Sequence, residues 1–110
     1  MTTVTFFTEK GRIIGFSSQG HSGYAEAGSD IVCAAVTSAI RLVEATVNDV
    51  LGLRAPVKVR PEDAFISLRL PNGLDSSAEN ICQAVLAGLM VYLTQLHDEY
   101  PENVEVLEEA

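Results

Sequence analysis

Two side chains in this sequence are spaced to do nucleophilic chemistry together, His21 and Cys33. The chain holds only two histidines and two cysteines, and one of each falls between residues 19 and 38. Three of the eight glycines, Gly20, Gly23 and Gly28, lie between residues 19 and 29. Clustered glycine lets a backbone take conformations that other residues avoid, so this half reads as a mobile loop. The second half reads as a helix opened by Ser29 or Asp30, both good N-caps, before an apolar run. Cys33 then sits in the first helical turn, where the helix dipole favours a thiolate. His21 precedes it by 12 residues, across a loop able to fold it back. The pair suggests a nucleophile and its base. Spacing alone leaves the blander reading open, a half-buried thiol and a solvated loop imidazole.

The neighbours of this pair have two readings each. Asp30 caps the helix, and could also orient the imidazole or favour its charged form. Thr37, one turn beyond Cys33, could donate to the thiolate or bond back to its own helix. Tyr24 and Glu26 could meet a substrate or simply face water. His97 falls in the last turn of a second helix, where a cation suits the dipole. Cys82 shares a helical line with Leu86, Leu89, Leu93 and Leu96, so it reads as a small core residue with a raised pKa. Cys33 is rotated about 100° from Val32. Its own line runs through Thr37, Ile40 and Glu44, a mostly polar face.

The elements that must hold these residues follow from hydrophobic periodicity. Residues 3–8 are rich in Thr, Val and Phe, and residues 12–18 form a second strand across a Glu9-Lys10-Gly11 connection. The first helix is expected over 30–51, stopped by Gly52, with a core stripe of Val32, Val36, Ala39, Val43, Val47 and Val50. Val57 and Val59 alternate with basic residues in a third strand. Pro61-Glu62-Asp63 turns the chain into a fourth, residues 64–70. Ser76 and Glu79 fit a capping box for a second helix that Pro101 ends after Tyr100. A short strand follows over 103–107. The order is ββαββαβ in one domain, residues 1–110. The expected fold is α+β, a two-layer sandwich with a mainly antiparallel sheet and both helices on one face. Strand order is not fixed by the pattern.

Composition narrows the function classes. The formal net charge is −8, and the seven basic residues are scattered. Direct nucleic-acid binding is disfavoured, because phosphate contacts need a basic patch. No signal peptide and no membrane span are expected, which points to the cytoplasm and to free thiols. No Cys/His cluster has metal-ligand spacing, and no cofactor is called for.

The run Gly20-His21-Ser22-Gly23-Tyr24-Ala25, followed by Gly28-Ser29-Asp30-Ile31-Val32-Cys33-Ala34-Ala35-Val36, resembles the ribosomal-processing cysteine proteases of bacteria, the Prp family. Their pattern is G-H-x-G-Y-A, then G-x-D-I-V-C-A-A-V-S. Length and element order match too, so the resemblance spans nearly the whole chain. It implies an endopeptidase that removes a short, Leu- and Phe-rich N-terminal extension from a large-subunit ribosomal protein. It implies Cys33 as nucleophile and His21 as base and then proton donor. Gly20 and Asp30 match supporting positions, and Ser22, Gly23, Tyr24 and Gly28 match the loop expected to meet the substrate. Thr37 stands where the family has Ser, which keeps the hydroxyl but adds β-branching. The resemblance also implies a homodimer. The rival readings are a non-enzymatic ribosome-assembly adaptor for a basic protein and a thiol redox sensor on Cys33.

Overall fold

A computed structural model describes residues 1–26 and 30–110. Strand β1 (Thr2–Glu9) and strand β2 (Arg12–Gln19) form an antiparallel hairpin. Its two-residue turn puts both Lys10 and Gly11 at positive φ, 52° and 79°, the twist that two-residue hairpins prefer. Helix α1 (Ile31–Glu44) follows and continues as a π-helical turn over Ala45–Val50. Strand β3 (Val57–Arg60), a short turn at Pro61–Asp63 and strand β4 (Phe65–Arg69) make a second hairpin. Helix α2 (Ser76–Glu99) and strand β5 (Val104–Glu109) complete the chain. The sheet order is β3-β4-β2-β1-β5. Every pairing is antiparallel except β1 with β5. The expected α+β architecture and the ββαββαβ order are those observed.

One core joins the layers. Val4 and Phe6 of β1, Phe16 of β2, Leu68 of β4 and Val104 of β5 point inward. They meet Val32, Val36, Ile40 and Val43 of α1 and Cys82, Leu86, Leu89, Leu93 and Leu96 of α2. The α2 stripe is the one its periodicity predicts. The α1 stripe differs in two places. Ile40, expected on the polar line of Cys33, is 2% exposed, and Val50, expected in the core, is 76% exposed. For Ile40 the difference is one of phase: Val32, Val36, Ile40 and Val43 advance by four, four and three residues, Val32, Val36, Ala39 and Val43 by four, three and four, and 3.6 residues per turn admits both, with Ala39 partly buried beside Ile40. Past Glu44 the turn widens: Leu51 N–H bonds to Thr46 O, five residues back, at 2.9 Å. The α-helical period therefore no longer applies, and Val50 swings outward.

Helix α2 starts one residue earlier than its capping box suggests. Asp75, not Ser76, is the cap, its carboxylate accepting from Ala78 N–H at 2.8 Å. Glu79 is instead paired to Arg12 by two bonds of 2.5 and 2.7 Å. Gln83 exchanges two more bonds with the backbone of Ile13, tying the start of α2 to the start of β2. Contrary to expectation, Ile31–Val50 is long and apolar enough to cross a membrane, with a mean hydropathy of 1.4. Its apolar stripe lies in the core with the sheet, the placement of a core helix.

Candidate active site

The site is built where β2 hands over to α1. Asp30 has extended backbone and its Oδ1 accepts from Val32 N–H at 3.0 Å and Cys33 N–H at 2.9 Å. Such a side-chain cap satisfies donors that a helix start otherwise leaves orphaned. Ala34 N–H bonds to Asp30 O at 3.1 Å. These bonds fix Cys33 as the third residue of α1, its side chain half-buried.

Asp30 does more than cap. It is 7% exposed, and its Oδ2 accepts a short hydrogen bond from the Ser22 hydroxyl and a longer one from Ala25 N–H, 3.5 Å. Burial pushes the carboxyl pKa up. The bonds from Ser22 and from the Cys33 and Ala25 backbone outweigh that and bring it down from 3.8 to about 2. The carboxylate is thus committed to Ser22, Ala25, Val32 and Cys33. It organises the helix start.

Ser22 links this cap to the thiol. Its backbone N–H donates to Cys33 Sγ at 3.2 Å. Its hydroxyl, donating to Asp30, also accepts from Tyr24 N–H at 3.2 Å. Expected to face a substrate, Ser22 is instead 1% exposed, because its hydroxyl is drawn inward to the buried cap. The sequence leads one to expect that loop 20–28 closes over a bound substrate and only then brings His21 to Cys33. Residues 20–25 are already seated, by Ser22 on the sulfur and by Ser22 and Ala25 on Asp30. Gly28 lies outside the described residues.

Gly20 has a structural necessity. Its φ is +89°, and a Cβ there would stand 2.5 Å from Met1 O. Only glycine fits such a position. Gly23 also has positive φ, 75°. Between them His21 is exposed. Tyr24, 47% exposed, sets its ring edge-on to Tyr100, with centroids 5.4 Å apart.

His21 and Cys33 line one cleft of about 700 Å³. Its walls are the His21 segment, the first turns of α1 and the β3–β4 hairpin. Gly20, Gly23, Asp30 and Thr37 border it, and Val36, Ile40, Val59, Phe65 and Ile66 make much of the remainder apolar. The hairpin's contribution carried no sequence signal, since Val59, Phe65 and Ile66 read as ordinary strand residues. Arg60 stacks on the Phe65 ring at 3.9 Å and pairs with Asp63 at 3.2 Å, stiffening that rim.

The remaining candidates lie elsewhere. Cys82 is fully buried in the core, and burial raises its pKa, with Glu79 adding to the effect. His97 Nδ1 lies 2.6 Å from Val104 O, tying α2 to β5.

Comparison with known proteins agrees with this architecture. The chain is 29% identical over 94 residues to the ribosomal processing cysteine protease Prp of Bacillus subtilis, covering 86% of this chain and 84% of that one. It superposes with a TM-score of 0.81 on the crystal structure of the ribosomal processing protease Prp of S. aureus in complex with a covalently linked product peptide. That match is 25% identical and covers 99% of this chain and all of the other. A second S. aureus structure, with a substrate peptide, gives 0.77 at 23% identity over 99% of this chain and 100% of that one. The family model for cysteine protease Prp matches residues 1–105, and the chain belongs to that family of cysteine proteases.

Proposed function

We propose that this enzyme cuts an N-terminal extension from a large-subunit ribosomal protein in the cytoplasm, with Cys33 as nucleophile and His21 as base and then acid. The observation that carries the reading is the shared cleft, in which the half-exposed Cys33 sulfur receives the Ser22 N–H beside an exposed His21. An N–H aimed at sulfur suits the anionic nucleophile, which is the reactive form of cysteine. The apolar wall of Val36, Ile40, Val59, Phe65 and Ile66 suits a Leu- and Phe-rich extension. A net charge of −8 suits a basic ribosomal partner. The S. aureus relative carries its product peptide covalently linked, in keeping with a nucleophilic route.

The steps follow from those groups. His21 takes the Cys33 proton, and Sγ attacks the scissile carbonyl carbon. The developing oxyanion needs donors. The helix-start N–H groups of Val32, Cys33 and Ala34 are already bonded to Asp30. Ser22 N–H, already at the sulfur, is the donor we assign instead. The C–N bond breaks, His21 protonates the leaving amine, and a thioester remains on Cys33. Water, deprotonated by His21, hydrolyses it and restores the thiol. The test is incubation with a peptide spanning the extension, with products weighed by mass spectrometry. One defined cut supports the reading. Tight binding with no cut, by protein whose Cys33 is reduced, overturns it in favour of an adaptor.

A further inference from the structure

The peptide units around His21 are held one after another by different parts of the chain. Gly20 O accepts from the Thr2 hydroxyl at 3.0 Å. The next unit donates Ser22 N–H to the Cys33 sulfur. The unit after that offers Ser22 O, which accepts from Asn103 Nδ2 at 3.0 Å. The two outer partners are themselves joined, since Thr2 N–H donates to Asn103 O at 2.9 Å. Thr2 begins β1 and is 3% exposed. Asn103 closes the turn between α2 and β5, its own N–H bonded to Tyr100 O at 3.0 Å.

We propose that Thr2 and Asn103 are positioning residues for the reaction, a two-sided clamp on the carbonyls that flank His21. This inference rests on His21 acting as the base. A segment containing Gly20 and Gly23 has unusual conformational freedom, and fixing a backbone costs entropy that contacts must offset. His21 is exposed, so packing does little to hold it. The clamp supplies that restraint from the backbone. It also sets the direction of the peptide unit between its two jaws, the one whose N–H meets the sulfur. An error of one ångström in such a group costs large factors in rate. The clamp therefore acts on turnover rather than on substrate affinity.

The experiment compares Thr2→Val, which keeps shape and β-branching but removes the hydroxyl, with Thr2→Ser, which retains it. Asn103→Ala removes the amide and keeps the backbone bond to Thr2, and serves if Thr2→Val fails to fold. Rates are measured on the extension peptide per active site titrated with a thiol-directed peptide ketone. We expect kcat per site to fall about tenfold in Thr2→Val and Asn103→Ala with KM within about twofold, and Thr2→Ser to stay near wild type. Unchanged kcat per site, with loss confined to melting temperature or active fraction, would make the clamp merely structural and overturn the proposal. So would a Thr2→Ser as slow as Thr2→Val. His21→Ala is measured alongside. Wild-type turnover in that variant overturns the assignment of the base itself, and the clamp with it. A slow His21→Ala beside fully active clamp variants overturns the clamp alone.

Discussion

The starts of the two helices make a natural comparison. Each opens on an aspartate cap, Asp30 or Asp75, and each carries one of the two cysteines within its first turns. There the likeness ends. Asp75 is exposed and holds one N–H, that of Ala78. Asp30 is buried and gathers Ser22, Ala25, Val32 and Cys33. Cys33 looks into a cleft and receives an N–H, whereas Cys82 faces the core and its thiol is stabilised in the protonated form by burial. The two sulfurs differ in which side of the helix they occupy and in what the cap recruits, not in the presence of a cysteine near a helix start.

The sharpest way to break this comparison is one substitution made twice. Cys33→Ser should lose peptide cleavage to background while its stability stays within about 0.5 kcal/mol, as for other non-core changes. Activity close to wild type would erase the distinction. Cys82→Ser should do the reverse. It should keep kcat per folded molecule and lose about 1–3 kcal/mol in denaturant unfolding, because it buries a hydroxyl without a prepared partner. An inactive, stable Cys82→Ser would exchange the roles of the two thiols.

The caps differ in a way pH can read. The Asp30 carboxyl titrates lower folded than its ordinary 3.8. Its charged form therefore adds stability above that pH, and the contribution is lost as pH falls toward about 2. Asp30→Asn should destabilise the protein at neutral pH and flatten this acid limb in unfolding curves. A limb as steep as that of wild type would show that Asp30 does not carry it. The smallest effect belongs to Asp75→Ala, about 1 kcal/mol for an exposed cap, with cleavage unchanged. A thermal melt beside a rate measurement checks both halves of that statement.

Much of this was legible locally. The α2 stripe from Cys82 to Leu96 and the cap at Asp30 depend on spacings of three or four residues, which sequence displays directly. The outward swing of Val50 was hidden because a π-helical turn depends on how residues 45–50 meet the following loop. There Asn48 takes both backbone groups of Ala55 with its side-chain amide, at 2.7 and 3.1 Å. The cap at Asp75 was missed because Ser76 and Glu79 fit the motif equally well until Arg12 claimed Glu79. Within the site, His21 and Cys33 were visible as a motif, but what holds them was not. Asn103 meets Ser22 across 81 residues, and Thr2 meets Gly20 across 18. Contacts at that range leave no periodic trace. Strand order is hidden for the same reason, since β5 joins the sheet beside β1, its most distant strand in sequence.

The central claim is that Cys33, and not Cys82, is the sulfur that meets the substrate carbonyl. The most direct test uses a peptide copying the leader side of the cut and ending in a halomethyl ketone, followed by digestion and mass mapping. The account predicts one label per chain, all of it on Cys33, with Cys82 unmodified and labelling slowed in His21→Ala. Label on Cys82, or labelling of Cys33 at the same rate by a scrambled peptide, would contradict it.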